Sequence, residues 1–126
     1  MKTEEIGILI VDDEASVRDS LYQWFKADGY RVDTAEEATS ALKKLQENPW
    51  DIILLDIILP KQDGFAVLRQ LKADRSTAKV PVILLTNLSQ KDEIEQGLRL
   101  GAEDYLIKAY FMPSEVVEKI KKVLNK

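Results

Sequence analysis

The sequence predicts an α/β domain built on a doubly wound, five-stranded parallel sheet of order 2-1-3-4-5, a (βα)5 arrangement with one helix after each strand. Two observations predict it. Five short apolar runs alternate with five amphipathic stretches along the whole chain. The central runs are nearly unbroken Ile, Leu and Val, the composition of parallel strands covered on both faces. Repeated strand–helix alternation implies right-handed crossovers, and 2-1-3-4-5 is a common open-sheet order for five such units.

The apolar runs are Ile6–Val11, Tyr30–Asp33, Ile52–Leu55, Val80–Leu85 and Tyr105–Ile107. Between the first two, Val17, Leu21, Trp24 and Phe25 fall at helical spacing and read as a core-facing stripe. Gly29 is suited to a left-handed cap at that helix's end. Ala38, Ala41, Leu42 and Leu45 make the second stripe, with Thr34 and Glu37 spaced as a capping box and Asn48-Pro49 as the stop. Phe65, Leu68 and Leu71 mark the third helix. Ile94 and Leu98 mark a weaker fourth, ending near Gly101. Val116 or Val117, Ile120 and Leu124 mark the fifth, with Pro113 in its first turn. Trp50 is expected to pack at the entrance of the third strand.

Bulk composition narrows the function. A chain of 126 residues has room for one real core, and 45% apolar with 32% charged residues fits a folded globular domain. A net charge of −4 gives no reason to expect direct nucleic-acid binding. Cysteine is absent, which removes disulfides, thiol nucleophiles and thiolate metal sites. Histidine is absent as well, and with it the commonest general base. Any chemistry must therefore run on carboxylates, hydroxyls, lysines or a bound cation. No apolar stretch approaches the ~20 residues of a membrane span, and the N-terminal flank is too acidic for a signal peptide. The expected setting is cytoplasmic, with no membrane partner.

In an open parallel sheet the C-terminal strand ends share one crevice. The first strand delivers Asp12 and Asp13 there, the third Asp56, the fourth Thr86 and the fifth Lys108. Taken singly these are ordinary: a strand-end Asp usually makes a turn or helix cap, a Thr a local hydrogen bond, a Lys a solvated tip. Their coincidence on four strand ends is what points to a site. Three neighbouring carboxylates repel unless a cation neutralises them, and an all-oxygen set suits Mg2+. Phosphoryl transfer needs positioning and charge neutralisation more than acid–base chemistry. Asp56, pointing out of an apolar strand end, is a reasonable carboxylate nucleophile. Lys108 can meet phosphoryl oxygens as a point charge, and Thr86 can donate a hydrogen bond to another.

At this point the chain resembles the response-regulator receiver family, with its flavodoxin-like fold, over nearly its whole length. The matching pieces are Ile-Val-Asp-Asp-Glu at 10–14, Ile-Leu-Leu-Asp at 53–56, Leu-Pro at 59–60 with Asp63-Gly64, Leu-Leu-Thr at 84–86, and Gly-Ala-Glu-Asp-Tyr-Leu-Ile-Lys at 101–108. The resemblance implies that Asp56 accepts a phosphoryl group from a phosphohistidine of a sensor histidine kinase or phosphotransfer protein. It implies a magnesium site of Asp13, Asp56 and the backbone carbonyl of Ile58, with Asp12 acting mainly through water. Thr86 and Lys108 match the residues that contact the phosphoryl group. Tyr105 matches the aromatic that, with Thr86, reports activation to the face of the fourth helix, fifth strand and fifth helix. A single receiver domain spanning 1–126 with no effector domain is expected, as a monomer or weak phosphorylation-dependent dimer acting on a protein target. An excised receiver from a larger regulator or hybrid kinase is the alternative.

The chain departs from the family at Lys108-Ala109, where Lys-Pro is usual, at a longer Tyr110–Pro113 loop, and at the bulkier Asn87. A trans Lys108-Ala109 bond is expected, because a non-proline cis bond costs about 2.5–4 kcal/mol. Ile58 and Leu88 flank the path of an attacking water and cannot accept a proton, so any self-dephosphorylation should be slow and the protein should not behave as an enzyme. Rival readings fit less well. A haloacid-dehalogenase-like phosphohydrolase needs an acid two residues past its nucleophile, where Ile58 stands. A flavin carrier needs phosphate donors where Asp12-Asp13-Glu14 would repel. A receiver that works without phosphorylation would not need the full acceptor set. Lys119, Lys121, Lys122 and Lys126 suit the negative end of the last helix and its solvated face.

Overall fold

The computed structural model describes residues 6–59, 64–87, 91–108 and 112–125. Strands β1 (Gly7–Val11), β2 (Arg31–Ala35), β3 (Ile52–Asp56), β4 (Val82–Thr86) and β5 (Asp104–Ile107) alternate with helices α1 (Ala15–Ala27), α2 (Ala38–Glu47), α3 (Gly64–Ala73), α4 (Lys91–Arg99) and α5 (Pro113–Leu124). All the strand pairs are parallel, and the sheet order is β2-β1-β3-β4-β5. Element types and order are those the apolar runs predict, with boundaries moved by one or two residues.

Strand alternation divides the core into two layers. Leu9, Val11, Ile53, Leu55, Val82 and Leu84 face one way, onto α2, α3 and α4 residues such as Leu45, Leu68 and Ile94. Ile8, Ile10, Ile52, Leu54, Ile83 and Leu85 face the other way, onto Leu21 and Phe25 of α1 and Val116 and Ile120 of α5. β1, β3 and β4 are buried along their full length, which is why their sequences show no polar alternation.

Gly29 ends α1 at φ 92°, with Tyr30 N–H donating to the Phe25 carbonyl. The Tyr30 ring meets Phe25 edge-on at 5.9 Å, closing the apolar contact that accompanies such caps. Trp50 is buried before β3, as expected, and its indole N–H donates to the Lys44 carbonyl at 3.0 Å.

Three details differ from the sequence reading. The capping box is not formed. Thr34 is drawn into β2, where it pairs with Ile10, and α2 starts three residues later with Glu37 as its N-cap. Trp24 is not core: it is 43% exposed, while Leu21 and Phe25 carry the buried stripe of α1. In α4, Leu98 is exposed and the closest approach to the sheet is made by Gly97. The Lys108-Ala109 bond, the Tyr110–Phe111 loop, Pro60, Asp63 and Leu88 lie outside the described residues.

Candidate functional site

Register brings the predicted residues together. Val11 pairs with Leu55, so Asp12, one residue on, stands beside Asp56 at the end of β3. Asp12 and Asp56 share the alternation of Ile10 and Leu54, and Lys108 shares that of Leu106, so all three turn toward the α1/α5 layer. The connections fix them further. Asp12 N–H donates to Ala35 carbonyl, Lys108 N–H to Thr86 carbonyl and Ile57 N–H to Leu85 carbonyl. Gly64 N–H donates to Ile57 carbonyl at 2.7 Å, and a Cβ at Gly64 would stand 2.2 Å from the Asp56 carbonyl oxygen. The start of α3 therefore sits directly on the last peptide of β3, and only glycine leaves room for it.

The Lys108 ammonium is the hub. Its Nζ lies 2.9 Å from Asp56 Oδ2, 2.9 Å from Asp12 Oδ2 and 2.8 Å from Glu14 Oε1. The bonds to Asp56 and Glu14 are directed hydrogen bonds. The Asp12 contact is a close ion pair that lacks good hydrogen-bond geometry at the buried Asp12 Oδ2. Asp12 Oδ1 accepts Glu14 N–H at 2.8 Å, and Asp56 Oδ1 accepts Ile58 N–H at 3.1 Å. Arg18 donates to the Asp12 carbonyl at 2.9 Å and reaches Glu36 at 3.5 Å, tying this loop to the one after β2.

Burial and charge set the protonation balance. Loss of water pushes the Asp56 carboxyl up to about 7, and the Asp12 charge pushes in the same direction, while Lys108 and Ile58 N–H pull it back. Asp12 is raised as well, first by burial, against the pull of Lys108. Burial works against the Lys108 ammonium, but Glu14, Asp12 and Asp56 outweigh it and hold its proton above the ordinary lysine range. One cation thus faces more negative charge than it can neutralise.

The arrangement fits a hard divalent cation. Asp12, Asp13 and Asp56 each offer a carboxylate oxygen, all within 4.8 Å of one another, and Asp13 is solvent-exposed at the mouth. The buried Asp12 oxygen without a directed partner is what such a cation, or a water bound to it, would satisfy. Ile58 is 57% exposed beside Asp56.

Thr86 is buried at the end of β4, and its hydroxyl donates to the Asn87 carbonyl at 3.1 Å. Tyr105 is half-buried against the α4-side layer. Its carbonyl accepts from Lys119 of α5 at 3.0 Å, and that ammonium lies 5.8 Å from its ring centre and 3.3 Å from Asp104. The side chains of Asp12, Asp13, Asp56, Thr86 and Lys108 therefore stand at the C-terminal strand ends, while Tyr105 lies within β5. Glu14 is the residue sequence reasoning missed. Its place next to Asp12-Asp13 was visible, but its reach to a lysine 94 positions away was not. A surface depression along α5, lined by Ser114, Glu118, Lys119 and Lys122, contains none of the predicted site residues.

Residues 8–121 match the response regulator receiver domain. The chain belongs to that family. The transcriptional regulatory protein ResD of Bacillus subtilis is 38% identical over 125 residues, covering 99% of this chain and 50% of ResD. The chain spans about half the length of such curated relatives. Among solved structures, the chemotaxis response regulator CheY4 of Vibrio cholerae superposes with a TM-score of 0.87 at 27% identity, covering 94% of this chain and 98% of that one. The receiver domain of the sensor histidine kinase PA1611 of Pseudomonas aeruginosa, solved with a magnesium ion coordinated in its active-site cleft, also gives 0.87 at 27%, covering 96% and 98%. As a receiver domain, this chain is a phosphoacceptor signalling unit of the two-component type. Receiver domains take their phosphoryl groups from histidine kinases or phosphotransfer proteins. Among the described residues no helix is long and apolar enough to cross a membrane.

Proposed function

We propose that Asp56 is the phosphoacceptor of this receiver and that Mg2+, held by Asp13, Asp56 and the Ile58 carbonyl with Asp12 through water, is its cofactor. The observation that carries this reading is the isolation of Asp56: a nearly buried carboxylate at a strand end, bonded to one lysine and close to two further carboxylates. A carboxylate oxygen of Asp56 attacks phosphorus, an acyl phosphate bond forms, and the phosphorus–nitrogen bond of the donor phosphohistidine breaks with its electrons returning to the imidazole. Lys108 meets the charge on the phosphoryl oxygens, and the Thr86 hydroxyl turns from the Asn87 carbonyl to donate to another. When bound, the cation supplies charge neutralisation between the carboxylates and the phosphoryl group.

Output runs through Thr86 and Tyr105. Movement of Thr86 toward the phosphoryl group vacates space on the α4 side of the sheet, and Tyr105 rotates into it. That rotation breaks the ring's contact with Lys119 and changes the α4-β5-α5 face presented to a cytoplasmic protein target or a second copy. The acidic balance of the chain, a net charge of −4, supports a protein partner over direct nucleic-acid contact.

The test is labelling with a small acyl phosphate donor and magnesium. Wild type gains one alkali-labile phosphoryl group, and Asp56→Asn gains none. Asp13→Ala weakens magnesium binding, read by titration calorimetry. Undiminished labelling of Asp56→Asn would remove Asp56 from the acceptor role.

A further inference from the structure

The Lys108 ammonium has three N–H donors and no acceptor. Its two directed bonds go to Asp56 and Glu14, and its third side faces Asp12. A carboxylate oxygen within 2.9 Å already stands at each side of this ammonium, so an incoming phosphoryl oxygen reaches it only if one carboxylate withdraws. Asp12 and Asp56 are buried at the strand ends and regain no water by turning from the lysine. The Glu14 side chain is 50% exposed and regains water on leaving. Among the described residues its side chain bonds only to Lys108: Glu14 is the N-cap residue of α1, but its side chain makes no capping bond. Its negative charge also opposes an arriving phosphoryl group.

We propose that Glu14 is a positioning residue for phosphoryl capture that works as a brake: in the resting receiver it occupies the Lys108 donor that the phosphoryl oxygen requires, and it yields that donor on capture. This rests on the assignment of Asp56 as acceptor. Glu14 holds the lysine at the mouth of the site, so the donor is already placed when exchange occurs, and the cost of the exchange is that of releasing one half-exposed ion pair.

Two substitutions separate contact from charge. Glu14→Gln removes the charge and weakens the bond. Glu14→Asp keeps the charge, shortens the reach by one methylene, and puts a better capping residue at the start of α1. The readouts are the rate of phosphorylation by a small acyl phosphate at saturating magnesium and, independent of turnover, the affinity for beryllofluoride with magnesium as a phosphoryl mimic. Both variants should capture phosphate roughly two- to fivefold faster and bind beryllofluoride tighter by a similar factor, the range for losing a pair with one exposed partner. Equal or slower capture and equal or weaker beryllofluoride binding in both variants would overturn the brake. So would an effect in Glu14→Gln alone, since the contact would then be irrelevant. If wild type itself takes up neither probe, the acceptor assignment fails and the brake with it; if wild type responds and Asp56→Asn does not, the acceptor stands and the Glu14 variants alone decide.

Discussion

If Asp56 carries the phosphoryl group as proposed, Ile58, one of the two side chains expected to flank the path of water, should bear on how long it stays. Water must attack in line with the departing carboxylate, and Ile58 stands at the rim, 57% exposed, with its N–H already committed to Asp56 Oδ1. A branched apolar group offers water no hydrogen-bond partner and cannot accept its proton. Slow self-dephosphorylation is the expected outcome, with reset by reverse transfer or a partner phosphatase. Replacing Ile58 with Asn gives water an anchor without a base, so phosphate loss after donor removal should quicken by up to about tenfold, short of the full range for general-base help. Unchanged decay in magnesium would show that this side chain does not set the lifetime. The chemistry of the individual residues was readable because Asp12, Asp56 and Lys108 each follow a strand whose register is dictated by its apolar alternation. Glu14 was not, because nothing periodic encodes how far a flexible side chain reaches across a loop to another strand's end.

At the scale of elements, the sequence patterns worked where burial is two-sided and failed where it is one-sided or local. β1, β3 and β4 could hardly be anything but covered parallel strands, and the structure buries every residue of each. The helix stripes located the helices but not their edges. Trp24 sits one position from Phe25, and only one of the two can face the core; helical spacing alone assigned both. Thr34 and Glu37 matched a capping pattern, but the cross-strand pairing of Thr34 with Ile10 competes with capping and wins. Close approaches of backbone to backbone leave a weaker trace still. Gly64 is the first residue of α3, a place where helix propensity gives no reason for glycine over alanine. Its reason is the Asp56 carbonyl oxygen, 2.2 Å from where a Cβ would lie. Gly64→Ala should therefore destabilise the domain, by about 1–3 kcal/mol as overpacking typically does, despite the better helix propensity. It should also slow phosphoryl capture by displacing the Asp56 peptide. A denaturation midpoint at or above wild type would contradict the close contact.

The whole molecule stores an electrostatic conflict at one end of its sheet. Two hydrocarbon layers hold β1 and β3 side by side whatever charges they carry, so Asp12 and Asp56 are forced together, with Asp13 and Glu14 nearby and Lys108 as the cation shared among them. Burial, then the Asp12 charge, raise the Asp56 carboxyl from 3.8 to about 7, and Asp12 is raised too. A carboxyl whose folded value exceeds its unfolded value binds more protons in the native state than in the unfolded chain between those two values. Stability from this site is therefore fully present below about pH 4 and is lost as pH rises toward about 7. Lys108 does not change this slope, because its proton stays on throughout that window. In EDTA, the melting temperature should thus be lower at pH 7.5 than at pH 5.5, and Asp56→Asn, which removes the ionising group, should flatten the dependence and raise the melting temperature at pH 7.5. Magnesium should do the same for wild type by neutralising the carboxylates in place, with a stabilisation that grows with its concentration as for any ligand of the folded state. It should do so far less for Asp13→Ala, which lacks the exposed carboxylate. Melts of the three proteins at both pH values, with and without magnesium, check this. If wild type in EDTA melts no lower at pH 7.5 than at pH 5.5 and Asp56→Asn gains nothing there, then the carboxylates are not in conflict in the metal-free fold, and cation binding is not coupled to its stability through them.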